Sequence, residues 1–228
     1  DLYTRRIVFD LFNKMGDFRI SYSTKVYVVI FCSAIGAVWS TGFGKCPVYL
    51  PLPEFDINRM TGTWYEVERS FYLMEMAASC THLNVSVSDR GYLLITIGTV
   101  NRWTREPLTI QGLGIISSNG SSIFRYKLNN RLPYAISRLL PGAGQYNVLF
   151  TDYHQFAVIW SCHTIGIVHT DRFWILGRET EIPVDLRAQI YSILQQLHLD
   201  PDRLLISKSS NCTTEESNPV PPSFNPRT

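Results

Sequence analysis

Cysteine and histidine are the residues here with the widest chemical reach, five of each, and their spacing decides what chemistry they serve. A zinc site wants ligands clustered in pairs two to four residues apart. Cys46, Cys80, Cys162 and Cys212 instead stand at least thirty residues from one another, and His82, His154, His163, His169 and His198 show no ligand spacing. Cys162 and His163 are adjacent, but neighbours on a strand point to opposite faces, which separates a thiol from a base. A lone strand histidine is ordinarily exposed or hydrogen-bonded. No metal site and no catalytic residue is therefore expected, and the cysteines are left with disulfide chemistry.

Disulfides need an oxidising compartment, and the N-terminal region points to one. Lys25 precedes Val26 through Val38, thirteen nearly unbroken apolar or small residues, and the stretch exits through Ser40 and Gly42. A basic flank, an apolar run of that length and a small-residue exit read as a signal peptide over 25–42. The competing reading is an uncleaved signal anchor, the one route by which this chain would meet a membrane, because Lys25 and Lys45 bracket nearly a bilayer span. Residues 1–24 read as an extension ahead of the signal, with Met15 a candidate start. Cys32 leaves with the signal, so four cysteines remain and three pairings are open. Sequons at Asn84, Asn119 and Asn211 suit an extracellular, glycosylated protein. The formal charge of +2 arises in the first forty residues, and 41–228 holds sixteen basic and sixteen acidic groups. That neutral body lacks the electrostatic footprint of a nucleic-acid binder.

The elements that must position these residues are mostly strands. Cys46 to Pro53 is too proline-rich for a helix or central strand and reads as an extended segment wrapped across one end. Residues 56–61 suit a short helical turn. Gly62-Thr63-Trp64-Tyr65 then opens the first of eight strands, expected near 64–73, 80–88, 92–103, 107–116, 121–129, 145–153, 156–164 and 171–179. Eight strands joined as a meander close into an up-and-down antiparallel β-barrel with no exposed edge. The period of two sets the faces. A glycan on Asn84 would point out, turning Leu83, Val85 and Val87 inward. Leu108, Ile110, Gly112 and Gly114 share one parity, and the two inward glycines would leave room in the lumen. Phe124, Tyr126 and Leu128 alternate with Arg125, Lys127 and Asn129. At Pro183 the period changes: Val184, Leu186, Ile190, Ile193, Leu194 and Leu197 mark one amphipathic α-helix, ending near Asp200-Pro201 and packed outside the barrel. Leu204-Leu205-Ile206 reads as a short final strand, and 213–228 as a disordered tail.

In this order the chain resembles a lipocalin, most closely the apolipoprotein D branch with its insect relatives, lazarillo and the bilin-binding proteins. The resemblance covers Gly44 to Cys212, a domain drawn at 43–212. It rests on Gly44-Lys45-Cys46-Pro47, Gly62-Thr63-Trp64-Tyr65-Glu66, Thr151-Asp152-Tyr153 with Ala157 to Cys162, and Trp174-Ile175-Leu176-Gly177-Arg178. It implies that Arg178 lies over Trp64, a cation–π contact of ~1–2 kcal/mol, and that Gly62, Thr151 and Asp152 help close that end. It also implies the pairs Cys46–Cys162 and Cys80–Cys212. The segment Leu132 to Gly144 departs from the family pattern and would form part of the mouth.

The resemblance implies a secreted carrier for a small hydrophobic molecule: a fatty acid or other lipid, a sterol, a retinoid or biliverdin, with no obligatory cofactor. Leu83, Val85, Leu108, Ile110, Phe124, Tyr126, Trp174 and Leu176 are the expected lining. A lipocalin isomerase would need a free cysteine inside the barrel, which the implied pairing does not leave. The alternative is a cell-surface signalling lipocalin that engages a receptor, or a lipoprotein particle, through its aromatic-rich mouth.

Overall fold

A computed structural model describes residues 41–71, 77–118, 120–128, 144–207 and 212. The extension and most of the signal segment, the tail beyond Cys212, the loop from Leu132 up to Gly144, and the sequons Asn119 and Asn211 lie outside the described residues. Contacts divide the chain into Asp1–Thr41 and Gly42–Thr228; the second unit carries the fold below.

Eight strands form the barrel: β2 (Gly62–Ser70), β3 (Ala78–Val87), β4 (Leu93–Asn101), β5 (Pro107–Ile116), β6 (Ile123–Leu128), β7 (Gly144–Thr151), β8 (Phe156–Ile165) and β9 (Val168–Gly177). Each pairs antiparallel with the next, and β9 returns to β2, which closes the sheet. Two short strands accompany it. β1 (Thr41–Phe43) overlaps the last two residues read as signal, and β10 (Leu204–Ile206) pairs with the end of β2. β2 pairs with β3 only from Gly62 to Tyr65; from Glu68 to Ser70 its partner on that side is β10.

The alternation works on both faces of the wall. Inward residues form a cluster around Trp64, Val85, Ile95, Phe124, Tyr126, Val148 and Leu176. Outward residues of β2 and β7–β9, including Val67, Val158, Phe173 and Ile175, form a second one beneath α1 (Val184–Gln196), which contributes Ile190 and Leu194. With both faces buried, β8 reads as the unbroken run Ala157-Val158-Ile159-Trp160 rather than as apolar–polar alternation.

Four sequence expectations need correction. The helix ends at Gln196, four residues early, because His198 takes a positive φ of 59° and Leu199 turns back to bond the Leu194 carbonyl. Val184, assigned to its apolar face, is 78% exposed, since it lies roughly 120° around the helix from the buried Ile190. The Cys46–Pro53 segment runs down the outer wall before reaching the closed end: Cys46 N–H bonds Thr164 Oγ1, Tyr49 packs edge-on against Trp160, and Leu52 N–H bonds Ser122 Oγ. Gly112 and Gly114 do not leave lumen space open. A Cβ at Gly112 would strike the Tyr126 ring and the Lys127 carbonyl, and one at Gly114 would strike Leu93 and Phe124. The missing side chains make room for aromatic rings leaning across from β6.

Disulfides join Cys46 to Cys162 and Cys80 to Cys212. The first ties the wrapping segment to β8; the second ties the chain beyond β10 to β3. Asn84 is exposed on β3, between Leu83 and the buried Val85.

Candidate ligand-binding site

One end of the barrel is shut by a nested set of polar contacts. Trp64 is 0% exposed, and its indole N–H donates to the Met60 carbonyl at 2.8 Å. Arg178 lies over that ring, its guanidinium carbon 3.7 Å from the centroid. Its N–H groups donate to the carbonyls of Tyr153, Thr63 and Arg59 at 3.0–3.1 Å, so one planar fork pins three segments. Burial lowers the Arg178 pKa, and Asp152 opposes that shift. Gly62 explains its own place in the motif: it sits at φ +99°, and a Cβ there would come within 3.2 Å of Arg178 Nη1. Thr151 and Asp152 shape the β7–β8 turn from within. Asp152 Oδ1 accepts from the amides of His154, Gln155 and Phe156, and Thr151 Oγ1 donates to the Phe156 carbonyl.

Above this floor the barrel encloses a cavity of about 650 Å³. Phe55, Met60 and Trp64 form its base, and the inward residues of β3 to β9 form its wall. All eight expected lining residues border it: Leu83 and Val85 on β3, Leu108 and Ile110 on β5, Phe124 and Tyr126 on β6, Trp174 and Leu176 on β9. Leu108 is 54% exposed, at the mouth rather than in the interior. Tyr126 is buried deeply enough that its phenol pKa is pushed up, with Tyr146 adding to the shift.

Sequence reading missed several of the residues around the cavity. Tyr146, directly opposite Phe124 in the register, stacks on it at 5.7 Å and also meets Tyr126 and Trp174. Pairing β7 against the parity already read in β6 would have found it. Glu66 and Arg69 also line the cavity; Glu66 shares the inward parity of Trp64, whereas nothing in the alternation signals Arg69, because a bulge in β2 sets its direction. Among the described residues no group of three His, Cys, Asp or Glu side chains is placed to hold a metal ion. His82, expected to be exposed or hydrogen-bonded, is buried against Gly98 with Nδ1 3.3 Å from the Cys80 carbonyl.

The Lipocalin / cytosolic fatty-acid binding protein family model matches residues 61–210. The chain is a lipocalin. It is 29% identical to apolipoprotein D of Cavia porcellus over 171 residues, covering 75% of this chain and 85% of that protein. To apolipoprotein D of Bos taurus it is 30% identical over 171 residues, covering 74% and 85%. Among solved structures, insecticyanin of Manduca sexta superposes with a TM-score of 0.63 at 18% identity, over 75% of this lipocalin and 89% of that chain. The last likeness concerns fold; the family match over residues 61–210 spans the barrel and its helix.

Proposed function

We propose that this lipocalin is a secreted carrier that binds and transports a small hydrophobic molecule, with Leu83, Val85, Leu108, Ile110, Phe124, Tyr126, Trp174 and Leu176 as contact surface. The observation that carries this reading is the cavity: about 650 Å³, closed below by Trp64 and walled mainly by aliphatic and aromatic side chains. That volume lies within the ~300–1,000 Å³ of small-molecule sites. Desolvation at about 25 cal/mol per Å² of apolar surface supplies the affinity. Fatty acids, sterols, retinoids and biliverdin-type pigments are the candidate cargoes, and lipid homeostasis and stress response the candidate roles. Two disulfides support an oxidising, extracellular address.

Native mass spectrometry with an absorbance scan, on protein secreted from animal cells, tests the reading. A bound mass of a few hundred daltons is the expected result, and visible absorbance would identify a pigment. A second reading, partner binding at a cell surface or lipoprotein particle, draws support from Trp103, 69% exposed on the β4–β5 turn near Leu108. An empty barrel that also refuses added fatty acids, retinoids, sterols and biliverdin would favour it.

A further inference from the structure

Two charged side chains border the mainly apolar cavity. Residues three apart in a regular strand face opposite ways, yet Glu66 and Arg69 both reach the lumen. The register shift between Glu66 and Glu68 in the β2–β9 pairing brings them to one side. Glu66 is buried and Arg69 nearly so, with side-chain exposures of 6% and 11%. Arg69 Nη1 donates to Glu66 Oε1 at 2.7 Å and Nη2 to the Ala78 carbonyl at 3.3 Å. The Ser207 hydroxyl donates to the same carboxylate oxygen at 2.6 Å. Thr81 and Thr99, their hydroxyls 3.2 Å apart, continue the polar strip along β3 and β4.

Resting on the carrier reading above, we propose that the Glu66–Arg69 pair makes this cavity select amphiphiles with a neutral hydrogen-bonding head, an alcohol or amide, over the corresponding carboxylates. Arg69 already has a matching negative charge beside it. A ligand carboxylate brought to the guanidinium therefore meets Glu66 at close range, and like charges in a desolvated site disfavour each other. The anion also loses its hydration without gaining an unmatched cation. A hydroxyl head adds no charge, donates to a carboxylate and accepts from a guanidinium, so both members of the pair can bond it.

The test titrates the full secreted chain, stripped of lipid, with hexadecanol and with hexadecanoate at submicellar concentration and pH 7.4, read by tryptophan fluorescence. Hexadecanol is expected to bind at least tenfold more tightly. Glu66→Gln removes the counter-charge and should raise the affinity for hexadecanoate relative to hexadecanol at least tenfold. If that variant does not fold, Arg69→Gln should widen the wild-type preference, because it leaves the carboxylate alone. Equal or tighter binding of hexadecanoate by the wild-type chain overturns the proposal, as does an unchanged ratio in the variant. Refusal of every lipid, neutral or charged, sinks the carrier reading and this selectivity with it; binding of both without discrimination sinks the selectivity alone.

Discussion

On the outer face of β8 and β9, Val158, Phe173 and Ile175 are fully enclosed beneath α1, whereas on the inner face of the same strands Ile159 and Trp174 border a cavity. The two faces carry similar side chains on the same backbone. They differ in what lies opposite. Outside, Ile190 and Leu194 project into the sheet at every turn of a helix and complete the packing. Inside, the opposite wall belongs to the same sheet, curved away by barrel closure, and a cavity stands above the floor. Apolar residues on a sheet face therefore mean a solid core or a container according to geometry that the residues themselves do not encode. Stability should reside mainly in the outer cluster and the floor, and binding in the upper inner wall.

The largest break in that division should come from the floor. Trp64→Ala removes a fully enclosed ring, its bond to Met60 and the surface on which Arg178 lies. A loss of about 3–5 kcal/mol is expected, read as a lower urea midpoint at unchanged slope. A matched pair then sharpens the contrast between faces. Leu194→Ala opens a void in a filled core and should cost about 2–5 kcal/mol while leaving ligand affinity within twofold. Leu83→Ala enlarges a space that already exists, so its cost should fall below that of Leu194→Ala, and affinity for a bound lipid should change severalfold. Equal destabilisation by the two would mean the inner wall is as tightly packed as the outer.

A smaller effect is expected where inner space is deliberately occupied. Gly112→Ala forces the Tyr126 ring and the β6 backbone aside, at about 1–3 kcal/mol for overpacking. The same variant should reshape the cavity, so a changed preference among ligands of different width is the second readout.

How much of this could be read from sequence follows the same divide between local and non-local causes. The barrel, its eight strands and the trailing helix were legible because turn residues and the period of two recur along the chain. The closed end was legible only through the family resemblance of the motifs around Gly62, Trp64 and Arg178, because the contact that joins Arg178 to Trp64 is non-local. Direction of the inner side chains followed from parity in β5 and β6, where the register runs without a shift, and in β3 past its shift between Ser79 and His82. Parity failed in β2. One bulge there turns Arg69 to the lumen beside Glu66 and sends Glu68, 1% exposed, outward under the helix. There Arg187 approaches Glu68 at 2.7 Å and Tyr191 donates to it at 2.6 Å. No local pattern announces a buried carboxylate whose partners lie more than a hundred residues away in the sequence. Val184 failed for a simpler reason: at 3.6 residues per turn it lies roughly 120° around the helix from Ile190, off the face that packs.

That outer polar cluster supplies the smallest effect and a last distinction between the two faces. Burial, followed by its hydrogen bond to Glu68, pushes the Tyr191 pKa up to about 12 from an ordinary value of 10.0. A phenol whose folded pKa is raised binds its proton more tightly in the native state. Its contribution to stability is whole below pH 10 and is lost as pH rises through about 12. The size is modest because the hydroxyl is only partly shielded from water. Wild type and Tyr191→Phe should therefore differ in urea midpoint by a constant amount from pH 7 to 9, and the two curves should converge between pH 10 and 12. Ligand binding should leave that convergence where it is, since Tyr191 lies outside the barrel. A shift of the window on loading with lipid would show instead that the packed face and the hollow face are coupled through β2, whose bulge holds Glu66 on one side and Glu68 on the other.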